Sequence, residues 1–298
     1  MKKVMLIVNP ASGGEKAKAF EKIAKSKLAT YFDQVDVRYT EKEGDAKRFA
    51  QTAARASYES VFVMGGDGTV NEGVSGLAEE SYRPTFGFFP LGTVNDLARA
   101  LQMPLQMPLD PEEAVESLDF TKTQTLDIAK VNDRYFTNIL AIGSIPESIN
   151  NVDDKEKTVL GPLAYFLSGL KNILKNKSYT FTITSDGQEA SFTSSLVLLA
   201  LTNSIGGFDS ITPDAKANDG YLHLVFTKDK TAIETMASLP SLFSKTMSSN
   251  DAVSYQKVKE VTISVQGCDL ESNLDGDPGP KLPLTVTVLP SHLRVYKY

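Results

Sequence analysis

Seven consecutive residues, Gly65-Gly66-Asp67-Gly68-Thr69-Val70-Asn71, constrain this chain more than any other stretch. The segment before them, Ser60-Val61-Phe62-Val63-Met64, is apolar and bounded by glycine, the pattern of a buried parallel strand. After them Val70, Val74 and Leu77 recur at helical spacing, with Glu72, Glu79 and Glu80 on the polar side. The order is therefore strand, glycine turn, helix. Glycines there let a ligand approach the backbone closely, and a helix start offers N–H groups and a positive dipole end to a phosphate. Asp67 is the odd residue. A carboxylate beside a polyphosphate is repulsive unless a Mg²⁺ ion intervenes or a hydroxyl gives it a proton. A structural turn with an Asp capping the helix has the same composition.

Alternation of this kind fills the first part of the chain. Val4 to Val8 reads as a central strand and runs into Asn9-Pro10-Ala11-Ser12-Gly13-Gly14. No Gly-Lys-Ser/Thr follows those glycines, so this is not a Walker loop. A helix (Lys16 to Leu28), a strand (Val35 to Tyr39) and a helix (Asp45 to Ala56) precede the strand before Asp67. Thr85 to Phe89 is a further strand, running into Pro90-Leu91-Gly92-Thr93-Val94-Asn95-Asp96 and a short helix. Short connections between alternating strands and helices predict an open parallel α/β sheet, with ligands beyond the carboxyl ends of its strands.

Beyond Pro104, Pro108 and Pro111 a modest helix (Glu112 to Leu118) closes this region and the pattern turns to strands. Thr125 to Val131 and Tyr135 to Ala141 flank a hairpin signal at Asn132-Asp133-Arg134, and Tyr179 to Ser185 and Ala190 to Leu201 flank Asp186-Gly187. Tyr221 to Thr227, Val258 to Val265, Leu284 to Val288 and Leu293 to Tyr296 continue the series, with helical segments near 162–176 and 230–245. The expectation is an α/β domain over 1–124 and a mainly antiparallel β-sandwich over 125–287, with a tail from about 288 to 298 that returns to the first domain.

A net charge of −6 gives no support to non-specific nucleic-acid binding. The lone Cys268 cannot form an intrachain disulfide; it suits a reducing cytosol and reads as a packing residue. The opening Met1-Lys2-Lys3 and its apolar run are too short for a signal peptide, and no run of about 18 apolar residues is present, so membrane contact is expected to be peripheral. An amphipathic helix at 158–177 with Lys171, Lys175 and Lys177 suits either an anionic membrane or the face of a sheet.

The glycine loop resembles the Gly-Gly-Asp-Gly-Thr signature of the NAD kinases and of the diacylglycerol kinase catalytic-domain family. Leu91-Gly92-Thr93-Val94-Asn95-Asp96-Leu97-Ala98-Arg99 decides between them, since it is similar to the second nucleotide motif of bacterial soluble diacylglycerol kinases. Val8 to Gly14, Tyr39-Thr40-Glu41, Leu126-Asp127-Ile128, Gly161 to Tyr165, Thr202-Asn203-Ser204 with Gly206-Gly207-Phe208, Pro213 to Lys216 with Asp219-Gly220-Tyr221, and Leu274 to Asp277 also match, in order.

The resemblance implies a nucleotide-binding α/β domain and a β-sandwich with the active site in the cleft between them. It implies transfer of the ATP γ-phosphate to a lipid hydroxyl, most simply diacylglycerol to phosphatidic acid. A sphingoid, monoacylglycerol or non-lipid acceptor, or a regulator that has lost catalysis, are the alternatives. By carry-over Asn9, Pro10, Ala11, Ser12, Gly13, Thr40, Gly65, Gly66, Asp67, Gly68, Thr69, Val70, Asn71, Thr93 and Asn95 hold ATP. Asp67, Asp96 and Asp127 position Mg²⁺, and Lys216, Asp219 and Tyr221 match a structural Mg²⁺ loop, for which a plain Asn-Asp-Gly turn is the alternative. Asp277 matches the catalytic base, with Asp67 beside the phosphates. The expected partner is a lipid at the membrane surface; a homodimer stays open. One departure stands out: the family mostly has Asp-Gly-Glu where this chain has Asp275-Gly276-Asp277. Asp is shorter by one methylene, about 1.5 Å, and a misplacement of that size costs about 100-fold in rate if nothing compensates.

Overall fold

The structure is a computed structural model that describes residues 1–12, 16–104, 111–143, 178–185, 187–204, 214–227 and 253–298. Gly13, the segments 158–177, 206–208 and 230–245, and Pro213 lie outside the described residues. The chain divides into two compact units, Met1–Leu126 with Ser291–Tyr298, and Asp127–Pro290.

The first unit alternates strands and helices: β1 (Lys3–Val8), α1 (Lys16–Ala29), β2 (Gln34–Tyr39), α2 (Asp45–Arg55), β3 (Ser60–Gly65), α3 (Asp67–Leu77), β4 (Thr85–Pro90), α4 (Asp96–Ala100) and α5 (Pro111–Glu116). The sheet order is β2-β1-β3-β4, all parallel. β3, buried at every position, is a central strand, as its unbroken apolar run requires. The order reverses between β1 and β3, so the loops leaving these two strands flank the switch point of the sheet, where such folds bind ligands. Aromatic rings hold the layers together. Phe62 stacks on Phe89 and Tyr296 and meets Phe120 edge-on, and it is fully buried. Its truncation to Ala costs about 3–5 kcal/mol. The last residues join this core: Tyr296 Oη lies 2.7 Å from Ser60 Oγ, and the Tyr298 hydroxyl donates to the Phe88 carbonyl. Burial pushes the Tyr296 phenol up to about 12.

Among its described residues the second unit contains twelve strands or parts of strands. They are β5 (Asp119–Val131, whose first residues belong to the first unit), β6 (Arg134–Phe136), β7 (Ile139–Gly143), β8 (Tyr179–Ser185), β9 (Gln188–Ser194), β10 (Leu196–Ala200), β11 (Leu222–Thr227), β12 (Val253–Val258), β13 (Glu260–Val265), β14 (Glu271–Leu274), β15 (Asp277–Lys281) and β16 (Leu284–Lys297). One sheet runs β12-β11-β10-β7-β14-β15. Facing it are β16, β13, β8 and β9, paired antiparallel. Alternate residues of the two sheets, among them Leu140, Ile142, Val197, Phe181, Val261 and Val286, meet in one core, as a sandwich requires.

Four expectations are corrected. The stretch Ala190 to Leu201 is not one strand. It breaks at Ser195, and β9 and β10 belong to opposite sheets. The Ser194 hydroxyl bonds the Leu196 carbonyl at 2.7 Å and the Leu196 N–H at 3.1 Å, closing the corner. The stretch Tyr135 to Ala141 also breaks, because the Thr137-Asn138 backbone turns to bond Asp275. Leu284 to Tyr296 is one strand instead of two, passing from the second unit into the first. Cys268 is exposed between β13 and β14 and packs no core. Among the described residues no helix is long and apolar enough to cross a membrane.

Candidate active site

Four loops follow the carboxyl ends of β1 to β4, and each is fixed by a short polar side chain. After β1, Asn9 donates its N–H to the Met64 carbonyl at 2.9 Å, and its Oδ1 accepts from Ala11 N at 3.0 Å, an Asx turn that shapes Pro10-Ala11-Ser12. Asn9 Nδ2 donates to Thr69 Oγ1 at 2.9 Å, which ties this loop to the first turn of α3. After β2, Thr40 N bonds the Val8 carbonyl at 2.9 Å. The Asp45 carboxylate then accepts from Glu41 N at 2.9 Å and Lys42 N at 3.1 Å. The Glu41 N–H, helped by Arg48, holds the Asp45 carboxyl below the usual range. Glu72, on α3, reaches back to Gly44 N and Ala46 N at 2.9 and 3.1 Å, capping α2. Asp45 and Glu72 thus fix the loop after β2, a role the sequence reading did not assign them. The only sequence signal was the Gly44-Asp45 pair at a helix start.

Gly66, just after β3, and Gly92, after β4, pack backbone to backbone. A Cβ on Gly92 would meet Gly66 Cα at 3.0 Å and Asn95 Oδ1 at 2.8 Å. The carboxylate of Asp67 bridges the same two loops: Oδ2 accepts from Asn95 N at 2.9 Å and Oδ1 from Asp96 N at 3.0 Å. Asp67 is therefore a cap, of α4 and not of its own helix. No side chain caps α3, so its start, at Gly68 and Thr69, keeps the character of an anion seat.

Two residues assigned to ATP have other duties. Asn95, 5% exposed and in a left-handed backbone conformation, bonds Gly92 through both ends of its amide, at 2.9 and 2.8 Å. It shapes the loop. Val70, 4% exposed, packs in the core, and its N–H bonds the Gly66 carbonyl at 3.0 Å. The structure thus brings together Asn9, Gly65, Gly66, Asp67, Thr69, Asn95 and Asp96, with Thr93 exposed beside them.

The second unit holds two further groups. Asp127, 1% exposed, accepts from Gly220 N at 2.6 Å and donates its own N–H to the Ala217 carbonyl at 2.7 Å. Asp219 Oδ1 accepts from Tyr221 N at 3.1 Å, and its Oδ2 lies 2.9 Å from His223 Nε2 and 3.9 Å from Lys257 Nζ. The Lys216 carbonyl accepts from Asp219 N at 3.2 Å. An ionised Asp219 only accepts, so His223 Nε2 carries the proton and Nδ1 accepts from the Tyr255 hydroxyl at 2.7 Å. Burial pushes His223 down and Tyr255 up to about 12, keeping both neutral. A Mg²⁺ ion takes oxygens in octahedral geometry. In this turn both Asp219 oxygens already accept bonds, the Lys216 carbonyl accepts from Asp219 N, and an ammonium stands 3.9 Å from the carboxylate. The described residues of this turn fit the cation poorly. The Asp67 oxygens are engaged likewise, by Asn95 N and Asp96 N, so a Mg²⁺ ion beside them would be reached through water.

Asp277 opens β15. Leu274 pairs with Asp277, so Asp275-Gly276 is a two-residue hairpin turn, and both residues have positive φ (50° and 99°), as type I′ demands. The Asp275 carboxylate accepts from Thr137 N, Asn138 N and Ile139 N at 2.8, 2.9 and 2.8 Å. Burial outweighs these donors and pushes it up to about 6. Asp275 is thus the structural member of the pair, and Asp277 is exposed.

A parallel α/β unit with glycine loops at its switch point, in one chain with an antiparallel sandwich, is of the class that binds ligands beyond the carboxyl ends of its strands. A family model described as the diacylglycerol kinase catalytic domain matches residues 3–131. A second, the YegS C-terminal NAD kinase beta sandwich-like domain, matches residues 144–297. The chain is 36% identical over 296 residues to a Streptococcus pneumoniae protein provisionally named a lipid kinase, covering 99% of this chain and 98% of that one. It is 35% identical to a Staphylococcus aureus diacylglycerol kinase, covering 99% and 92%. A solved Bacillus anthracis structure, provisionally a diacylglycerol kinase, superposes with a TM-score of 0.85 at 29% identity, covering 100% of this chain and 97% of that one. The chain belongs to the diacylglycerol kinase catalytic-domain family, a family of lipid kinases.

Proposed function

We propose that this protein passes the γ-phosphate of ATP to the free hydroxyl of diacylglycerol at a membrane surface, giving phosphatidic acid and ADP. The observation that carries the reading is the Gly66–Gly92 backbone contact clamped by Asp67, which makes a cradle where side chains would block phosphates. ATP lies on the Asn9 to Ser12 loop, the Gly65 to Thr69 loop, Thr40 and Thr93. Asp67 and Asp96 would hold a Mg²⁺ ion, which would neutralise phosphate charge. Asp277 takes the proton of the attacking hydroxyl as its oxygen bonds phosphorus and the bond to the ADP oxygen breaks.

The test is labelled ATP offered with diacylglycerol, monoacylglycerol, sphingosine and a polar alcohol. Label in phosphatidic acid is expected. Label in another acceptor redirects the substrate, and no transfer with intact ATP binding overturns the reading in favour of a regulator.

A further inference from the structure

His223 is fully buried, and both of its ring nitrogens are engaged, at 2.7 Å by Tyr255 and at 2.9 Å by Asp219. The chain of bonds does not stop there. Asp219 leads into Gly220, whose N–H bonds Asp127 at 2.6 Å, and Ala217 on the same turn accepts the Asp127 N–H at 2.7 Å. An unbroken path therefore runs from the Tyr255 hydroxyl through the imidazole and the Asp219-Gly220 turn to the Asp127 carboxylate. Polar groups this deep are retained in a fold only when they are satisfied, and here each partner on the path satisfies the next. Lys257, 3.9 Å from Asp219 and 40% exposed along its side chain, adds little.

We propose that His223 is a positioning residue, which holds the Asp219-Gly220 turn on Asp127 by hydrogen bonds where the family resemblance places a divalent cation. The poor fit of the described donors to Mg²⁺ and the imidazole already seated on Asp219 point the same way. Its effect on turnover rests on the proposed kinase reading together with the resemblance that puts Asp127 near Mg²⁺; its effect on the turn does not.

Three variants separate the possibilities. Tyr255→Phe removes one hydroxyl and leaves the ring to pack. His223→Leu removes both bonds, and His223→Gln restores a donor toward Asp219. Hydrogen exchange at the Gly220 amide should quicken about 2–10-fold in Tyr255→Phe, more in His223→Leu, and recover in His223→Gln. Wild-type melting should be the same in Mg²⁺ and in chelator. In the kinase assay, kcat should fall about 2–10-fold in Tyr255→Phe with KM for ATP unchanged. A wild type stabilised by Mg²⁺, together with Gly220 exchange indifferent to His223→Leu and Tyr255→Phe, overturns the proposal. A protein inert on every lipid whose Gly220 exchange still follows His223 refutes the kinase reading alone. A working kinase whose exchange and kcat ignore His223 refutes the positioning role alone.

Discussion

Asn9 Nδ2 donates to Thr69 Oγ1 across 2.9 Å, joining the loop after β1 to the first turn of α3 on either side of the point where the sheet changes direction. The bond matters because an anion seat works only if its loops hold still before the ligand arrives. Thr69→Val keeps the shape and removes the acceptor. We predict a rise of about 2–10-fold in KM for ATP, with kcat nearly unchanged and melting lowered only slightly. Steady-state kinetics at varied ATP checks it; an unchanged KM shows that the tie is incidental.

Asp67 has a second duty that its place among glycines hides. Asp67→Ala leaves the Asn95 and Asp96 amides without their acceptor, so both stability and turnover should fall. The expected loss is about 2–4 kcal/mol of folding stability, from two orphaned donors. Asp67→Asn keeps one acceptor and should melt between wild type and Ala. Turnover should drop at least about 100-fold in both. Equal melting of all three proteins would show that the clamp carries no stability.

Asp275 makes stability depend on pH. Its carboxyl ionises at about 6 in the folded chain, above the ordinary value of 3.8. The folded state therefore holds the proton more tightly than the unfolded state. The stability from this group is full below about pH 4 and is lost as pH rises through about 6. Asp275→Asn has no proton to lose, and its NH₂ opposes one of the three backbone donors. Its stability should therefore lack the slope that the wild type shows between pH 4 and 6. Melting curves across that range test the slope.

The glycine loops were legible in the sequence because their requirement is local: a helix start, a close backbone approach and no side chain. The sandwich strands were legible where alternation was clean, as in Val261 to Val265. The corner at Ser195 lies where the largely polar pattern of β9 gives way to the continuous apolar run Leu196 to Ala200, with no glycine or proline to mark it. The clamps were not legible. Glu72 meets Gly44 across 28 residues, Asp275 meets Asn138 across 137, and nothing in the local pattern of either partner announces the other. His223 was hidden for the same reason: in sequence it is one polar residue inside the apolar run of β11.

Membrane contact gives a prediction for the whole protein. A chain of net charge −6 is repelled by an anionic surface unless a local basic patch faces it. On the second unit Lys257 and Lys259 lie over the exposed Tyr221 ring at 5.8 and 5.5 Å. At fixed diacylglycerol, transfer should rise with the anionic lipid content of the vesicle and fall as salt shortens the screening length from about 10 Å at 0.1 M to about 3 Å at 1 M. Indifference to both would mean that the acceptor does not lie in a membrane.

Asp277 carries the sharpest prediction. Its backbone is held from both sides: it pairs with Leu274 across the hairpin, and Pro278 confines it to extended angles. β15 is an edge strand, which is why Asp-Pro-Gly-Pro is tolerated there. The residue is exposed, while its neighbour Asp275 is anchored by three amides. Asp277→Asn keeps size and hydrogen bonding but takes no proton. It should lower kcat by about 10²–10⁴ with KM for ATP unchanged and melting within a degree or so of wild type. Asp277→Glu restores the usual family residue with one more methylene on the same rigid backbone. If the hairpin sits where a longer acid is needed, this variant matches or exceeds wild type; if the hairpin has moved closer to suit Asp, it loses activity. Wild-type turnover in Asp277→Asn would show that Asp277 only opens the strand, and that the proton goes elsewhere.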